Sequence, residues 1–108
     1  MRDFWFKLKM KYQKLTRGYS DIEIWNLDAT IAEFVLPRMK ALRDSTCCYP
    51  PDLNSLDEWK EMLDKMIRGF ELYLADDWPN DTGEMKKQNK EIREALKMFG
   101  ERFSQLWW

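Results

Sequence analysis

The chain contains no histidine. That single absence excludes Ser-His-Asp and Cys-His nucleophilic systems, histidine-based zinc sites and an imidazole pH switch. Cysteine is nearly absent too. Cys47 and Cys48 stand side by side, so a bridge between them would be strained and no disulfide framework can be built. Two thiols do not close a zinc site either; they read as ordinary loop cysteines of a reducing compartment rather than a reactive pair. No apolar run approaches the roughly 18 residues that a membrane-spanning helix needs. Lys7, Lys9 and Lys11 interrupt what would have to be the apolar region of a signal peptide, which places the chain in a cytoplasm. Any catalysis left would have to run on carboxylates through a divalent cation.

Net charge is almost missing as well, at −1 over 108 residues, but it is unevenly spread. Residues 1–18 carry six basic groups against Asp3, whereas residues 19–36 carry Asp21, Glu23, Asp28 and Glu33 with no Lys or Arg. The chain is therefore neither a nucleic-acid binder by bulk charge nor an all-over acidic mimic of one. At 44% hydrophobic and 34% charged it belongs with folded domains, and its length suits one core with little margin.

What is present is helical punctuation. Residues 3–16 fit two templates, a half-buried strand and a helix with Phe4, Trp5, Leu8, Tyr12 and Leu15 on one face. No second strand exists to pair with it, so helix is preferred, ended by Gly18. Ser20…Glu23, Ser55…Glu58 and Asp81…Glu84 each have the spacing of a capping box. A further start at Asp28 would make residues 21–26 a short separate turn. Ile31, Phe34, Val35, Met39 and Leu42 then recur at helical spacing, with Pro37 expected to kink the helix near Phe34. Pro50-Pro51 lies in a loop. Trp59, Met62, Leu63, Met66, Ile67, Phe70 and Leu74 form a strong stripe in which Gly69 would allow a close helix crossing. Met85, Ile92, Leu96, Phe99, Phe103 and Leu106 form the face of the last helix. The expected fold is all-α: a small helical bundle of three long helices plus a basic N-terminal segment, itself helical. Residues 1–18 would be a basic aromatic lead-in and residues 19–108 a single bundle domain.

The pattern Tyr19-Ser-Asp-x-Glu-x-Trp-x-Leu-Asp, then Ile31-Ala-x-Phe, then Leu36-Pro-Arg-Met-Lys40, followed by Trp59-x-x-x-Leu63-Asp-Lys-Met-Ile67-x-x-Phe70-Glu-Leu, resembles a group of small proteins encoded by tailed bacteriophages. The resemblance covers most of residues 17–74. It implies a phage protein working in a host bacterial cytoplasm, and it transfers no residue-level role.

Four constellations could carry function. Glu58, Glu61 and Asp64 place three acids along one helix, with Glu91 and Glu94 as a second pair. This partly resembles the Mg²⁺-holding helices of all-α NTP pyrophosphatases, but the second helix has ExxE rather than ExxD. Lys60, Lys65, Lys90 and Arg93 also interleave, as on a solvated helix face. Asp21, Glu23 and Asp28 read as caps and dipole partners before they read as an acidic docking edge. The lysines among Phe4, Trp5, Phe6 and Tyr12 could follow a phosphate backbone, yet no nucleic-acid motif accompanies them. Finally there are six tryptophans, more than a domain of this size easily buries. Trp59 sits on the core stripe. Trp5, Trp25, Trp78, Trp107 and Trp108, with Tyr19, Arg17, Arg38 and Arg43, are the candidate binding residues.

The expectation is a non-enzymatic phage accessory protein that binds and inhibits a host factor, with an antiviral defence component as the leading target class. One alternative is an oligomeric sponge that holds a nucleotide signal between aromatic rings, with Arg17, Arg38, Lys40 or Arg43 on its phosphates. The other is a Mg²⁺-dependent nucleotide pyrophosphatase built on Glu58, Glu61 and Asp64. The expected partners are a host protein and, secondarily, a second copy of the chain. No cofactor and no membrane enter the leading reading, and nucleic acid ranks below protein.

Overall fold

A computed structural model describes residues 2–75 and 81–107. Among these residues the chain is all-α, with no strand. Four helices have 16 to 20 residues: α1 (Arg2–Arg17), α3 (Leu27–Ser45), α4 (Leu56–Leu74) and α5 (Thr82–Glu101). The fifth, α2 (Asp21–Trp25), has only 5, and a 3-10 turn (Phe103–Gln105) follows α5. The basic N-terminal segment is thus itself a helix of 16 residues, in addition to the three expected long ones. No helix among the described residues is long and apolar enough to cross a membrane.

The chain divides into two compact units, Met1–Ile31 and Ala32–Trp108. In the first, α1 ends at Gly18, whose φ of 88° is open to glycine and costly for other residues. Gly18 N–H donates to the Lys14 carbonyl at 3.0 Å and closes the helix. The start of α2 is tied back onto α1. The Gln13 side-chain carbonyl accepts from Asp21 N–H at 2.8 Å, while its amide donates to the Asp21 carboxylate at 2.9 Å. Arg17 pairs with the same carboxylate, and Lys14 lies 3.4 Å from Glu23. The expected capping box is present, with the Glu23 carboxylate accepting from Ser20 N–H at 2.8 Å. Asn26 caps α2 and, through its carbonyl, accepts from Thr30 N–H in the next helix. The break therefore falls at Asn26, and the new helix starts at Leu27, one residue before Asp28.

The second unit holds the core: Met39, Leu53, Trp59, Leu63, Met66 and Ile67, flanked by Val35, Leu36, Leu42, Met98 and Phe99. Trp59 is 1% exposed and Leu63 and Met66 not at all, as the α4 stripe requires. Ser55 caps α4 by accepting from Glu58 N–H, but the Glu58 carboxylate reaches Asn54 N–H instead of Ser55. Asp81 caps α5 through Gly83 N–H at 3.0 Å. Gly69 and Ala95 form the crossing of α4 and α5. A Cβ built on Gly69 would collide with the Ala95 Cβ, so the two backbones approach as closely as side chains allow. α3 meets the same core through the longer side chains of Met39 and Leu42, and Pro37 does not end it.

Two expected faces are rotated. On α3 the buried side is Ala32 and Met39 with Val35, Leu36 and Leu42, leaving Ile31 and Phe34 exposed. On α5 the inward residues are Ile92, Ala95 and Phe99, while Leu96 and Met85 face outward; Phe103, in the 3-10 turn beyond, is exposed as well. The small Ala95 takes the crossing because only a short side chain fits against Gly69. That choice fixes the helix rotation and turns Leu96, its sequence neighbour, away.

Candidate functional site

The first candidate surface lies on α1. Its polar bonds and the Phe6–Trp25 stack (6.4 Å between centroids, 22° between planes) turn Phe6, Met10, Gln13 and Arg17 toward α2. At about 100° per residue, the opposite side carries Phe4, Trp5, Leu8, Tyr12 and Leu15. All five are exposed, from 47% for Leu8 to 86% for Leu15. The rings of Phe4 and Trp5 meet edge to face at 5.6 Å. Helical geometry puts Lys7 and Lys11 on one border of this apolar side and Lys9 on the other. The amphipathic face read from sequence is real, and among the described residues of its unit it stays exposed.

Around it, several candidate residues are already engaged. Trp25 lies against Phe6 yet stays 66% exposed. Arg17 lies 4.5 Å over the Tyr19 ring, donates to the Tyr19 carbonyl and pairs with Asp21. The Gln13 amide first and Arg17 second hold the Asp21 carboxyl below its ordinary range, and Ser20 N–H, aided by Lys14, does the same for Glu23. These residues build the α1–α2 corner.

The second candidate surface lies in the second unit, where Trp107 borders two depressions. One, of about 240 Å³, is walled by Tyr49, Pro50, Pro51, Trp59 and Gln105. The other, of about 410 Å³, is walled by Phe34, Arg38, Met39, Phe99, Leu106 and further aliphatic side chains. The Trp107 ring is 71% exposed, and its indole N–H donates to the Ser104 carbonyl at 3.2 Å. Arg38 lies 3.6 Å over the Phe34 ring and donates to the Phe34 carbonyl at 2.8 Å. The structure thus brings Arg38 and Trp107 to one groove. Phe34, which the sequence had placed in the core, is their neighbour there.

The remaining candidates do not assemble. Arg43 is bound to Asp64 through two hydrogen bonds, at 3.0 and 3.4 Å, with Asp44 also nearby. Asp64, chiefly by its hydrogen bond, holds the Arg43 guanidinium above its usual pKa. Glu58 is occupied by Asn54 N–H, so Glu58, Glu61 and Asp64 do not converge as a magnesium site would require. Among the described residues no group of three or more Asp, Glu or Cys side chains is arranged to hold a metal ion. Cys47 and Cys48 are free and exposed, 3.9 Å apart, and the hydrogen bond they share pushes the Cys48 thiol up, away from the thiolate a nucleophile needs. Trp78 and Trp108 lie outside the described residues.

Compared with protein-family models, with curated proteins and with solved structures, the chain matches none.

Proposed function

We propose that this protein is a binding protein without chemistry of its own, which acts by covering part of a macromolecular target. Its sequence resemblance to small phage proteins points to a host factor, a component of antiviral defence first among them, in the cytoplasm of the infected bacterium. The observation that carries the reading is the uncovered side of α1. Five adjoining apolar residues, two of them packed aromatic rings, lie exposed along about three turns of a helix. Contiguous apolar exposure of this kind marks interaction surfaces, and an amphipathic helix presenting residues at i, i+4, i+8 and i+11 suits a groove on a partner. The lysines along both borders favour a groove with acidic rims.

The nucleotide-sponge reading has less to draw on. Two of its arginines, Arg17 and Arg43, are held by carboxylates of their own chain. A pyrophosphatase would need its acids gathered, and Asp64 is turned to Arg43.

Affinity capture from a host lysate, using the whole chain with a photo-crosslinking residue in place of Trp5, tests the proposal. A single host polypeptide crosslinked at α1, and lost with Leu8→Lys, is the expected result. A native mass spectrum showing a small nucleotide that leaves on denaturation, with no crosslinked protein, would replace the reading with the sponge.

A further inference from the structure

We propose that the groove beside Trp107 is a second binding site, made for a protein segment that presents a large apolar side chain next to a carboxylate. The site lies entirely in the second unit, and the argument for it is independent of α1.

Arg38 carries the charge side of the inference. Arg17, Arg43, Arg68 and Arg102 all pair with carboxylates of the chain. Arg38, like Arg93, pairs with none among the described residues, but its guanidinium is held in place, 3.6 Å over the Phe34 ring and anchored on the Phe34 carbonyl. A cation fixed in this way loses little freedom on meeting an anion, and its planar fork of remaining N–H groups suits two oxygens at once. The rest of the groove is aliphatic and aromatic: Met39, Phe99, Leu106 and the face of Trp107 among its walls. Its volume of about 410 Å³ is in the range of ligand pockets and admits a large side chain.

The same walls argue against a nucleotide. A base is read through hydrogen bonds at its edge, and apart from Arg38 the lining residues are all apolar but for Trp107, whose indole N–H is already spent on Ser104. One guanidinium is also thin provision for a phosphate ester. A carboxylate carried beside a Leu, Phe or Trp side chain matches both the single cation and the apolar floor.

The test uses the full chain and two short blocked peptides, acetyl-Ala-Leu-Phe-Glu-Ala-amide and its Gln counterpart, titrated by two-dimensional NMR. The Trp107 indole N–H and the Leu42 and Leu106 methyl signals are expected to move with the Glu peptide. The Gln peptide should bind roughly tenfold more weakly, the scale of one charge-assisted hydrogen bond. Arg38→Gln, an exposed change that leaves the melting temperature in place, should erase the difference between the peptides. Equal binding of the two peptides to the unaltered protein would overturn the inference. So would silence of these signals at millimolar peptide, or larger shifts of them with AMP than with the Glu peptide. None of these outcomes bears on capture through α1.

Discussion

Gly69 is the residue on which the packing of α4 against α5 turns. Its place in an apolar stripe marks a close crossing; the partner, Ala95, does not stand out in the sequence because alanine adds little to a hydrophobic pattern. Substituting Gly69→Ala would gain about 1 kcal/mol of helix propensity. The new Cβ would strike the Ala95 Cβ, which has no rotamer to escape into, and overpacking of that kind costs about 1–3 kcal/mol. The expected net is a destabilisation of up to about 2 kcal/mol, a fall in melting temperature of up to roughly 10 °C. Adding Ala95→Gly in the same chain should relieve the clash. A thermal melt of the three variants decides the matter, and a single Gly69→Ala protein more stable than the parent would mean the helices are further apart than described. The cost of Trp59→Ala, by contrast, follows from burial alone: the side chain is 1% exposed, and its loss should remove about 3–5 kcal/mol.

At the scale of the element, α1 separates what a helix is from what it is for. That residues 3–16 are helical, and that Phe4, Trp5, Leu8, Tyr12 and Leu15 share a side, could be read from spacing. Which side would be covered could not. The decision rests with Gln13, Arg17 and Lys14, polar residues whose partners Asp21 and Glu23 sit across a turn, so the hydrophobic pattern carries no trace of it. The same holds for α3 and α5, whose expected faces are each displaced, on α5 by the demands of the Gly69–Ala95 crossing. It holds too for Arg38 and Trp107, far apart in sequence and brought together only by the fold. The helix starts were legible because a cap is a local device: Ser55 and Asp81 each bind an N–H within their own first turn. For α1 the prediction is a separation of effects. Leu15→Lys, at a site 86% exposed, should leave the melting temperature within the equivalent of about 0.5 kcal/mol while abolishing capture of the target. A large loss of stability instead would show that Leu15 is covered within the chain.

Across the whole molecule, carboxylates held below their ordinary range occur in both units: Asp21 and Glu23 in the first, and Asp52, gripped by Arg102 through two bonds of 2.8 Å, in the second. For such a group the unfolded chain binds the proton more readily than the folded one. Its contribution is therefore complete above the unfolded pKa of about 4 and is lost as pH falls through the lower folded value. With no histidine to titrate, melting temperatures by circular dichroism should be level from about pH 6 to 8 and should fall below about pH 4. Asp52→Asn should blunt the acid-side fall in the second unit, and an unchanged acid profile would count against the Arg102 pair.

The close apposition of α4 and α5 also has a kinetic meaning. The two helices are neighbours in sequence, so their crossing at Gly69 and Ala95 can form after closing only a short loop, at small cost in chain entropy. Folding of the second unit should nucleate there, with α3 docking afterwards through its longer side chains. In a mutational survey of folding and unfolding rates, Ala95→Gly should slow folding nearly in proportion to its effect on stability. Met39→Ala should instead act mainly by hastening unfolding.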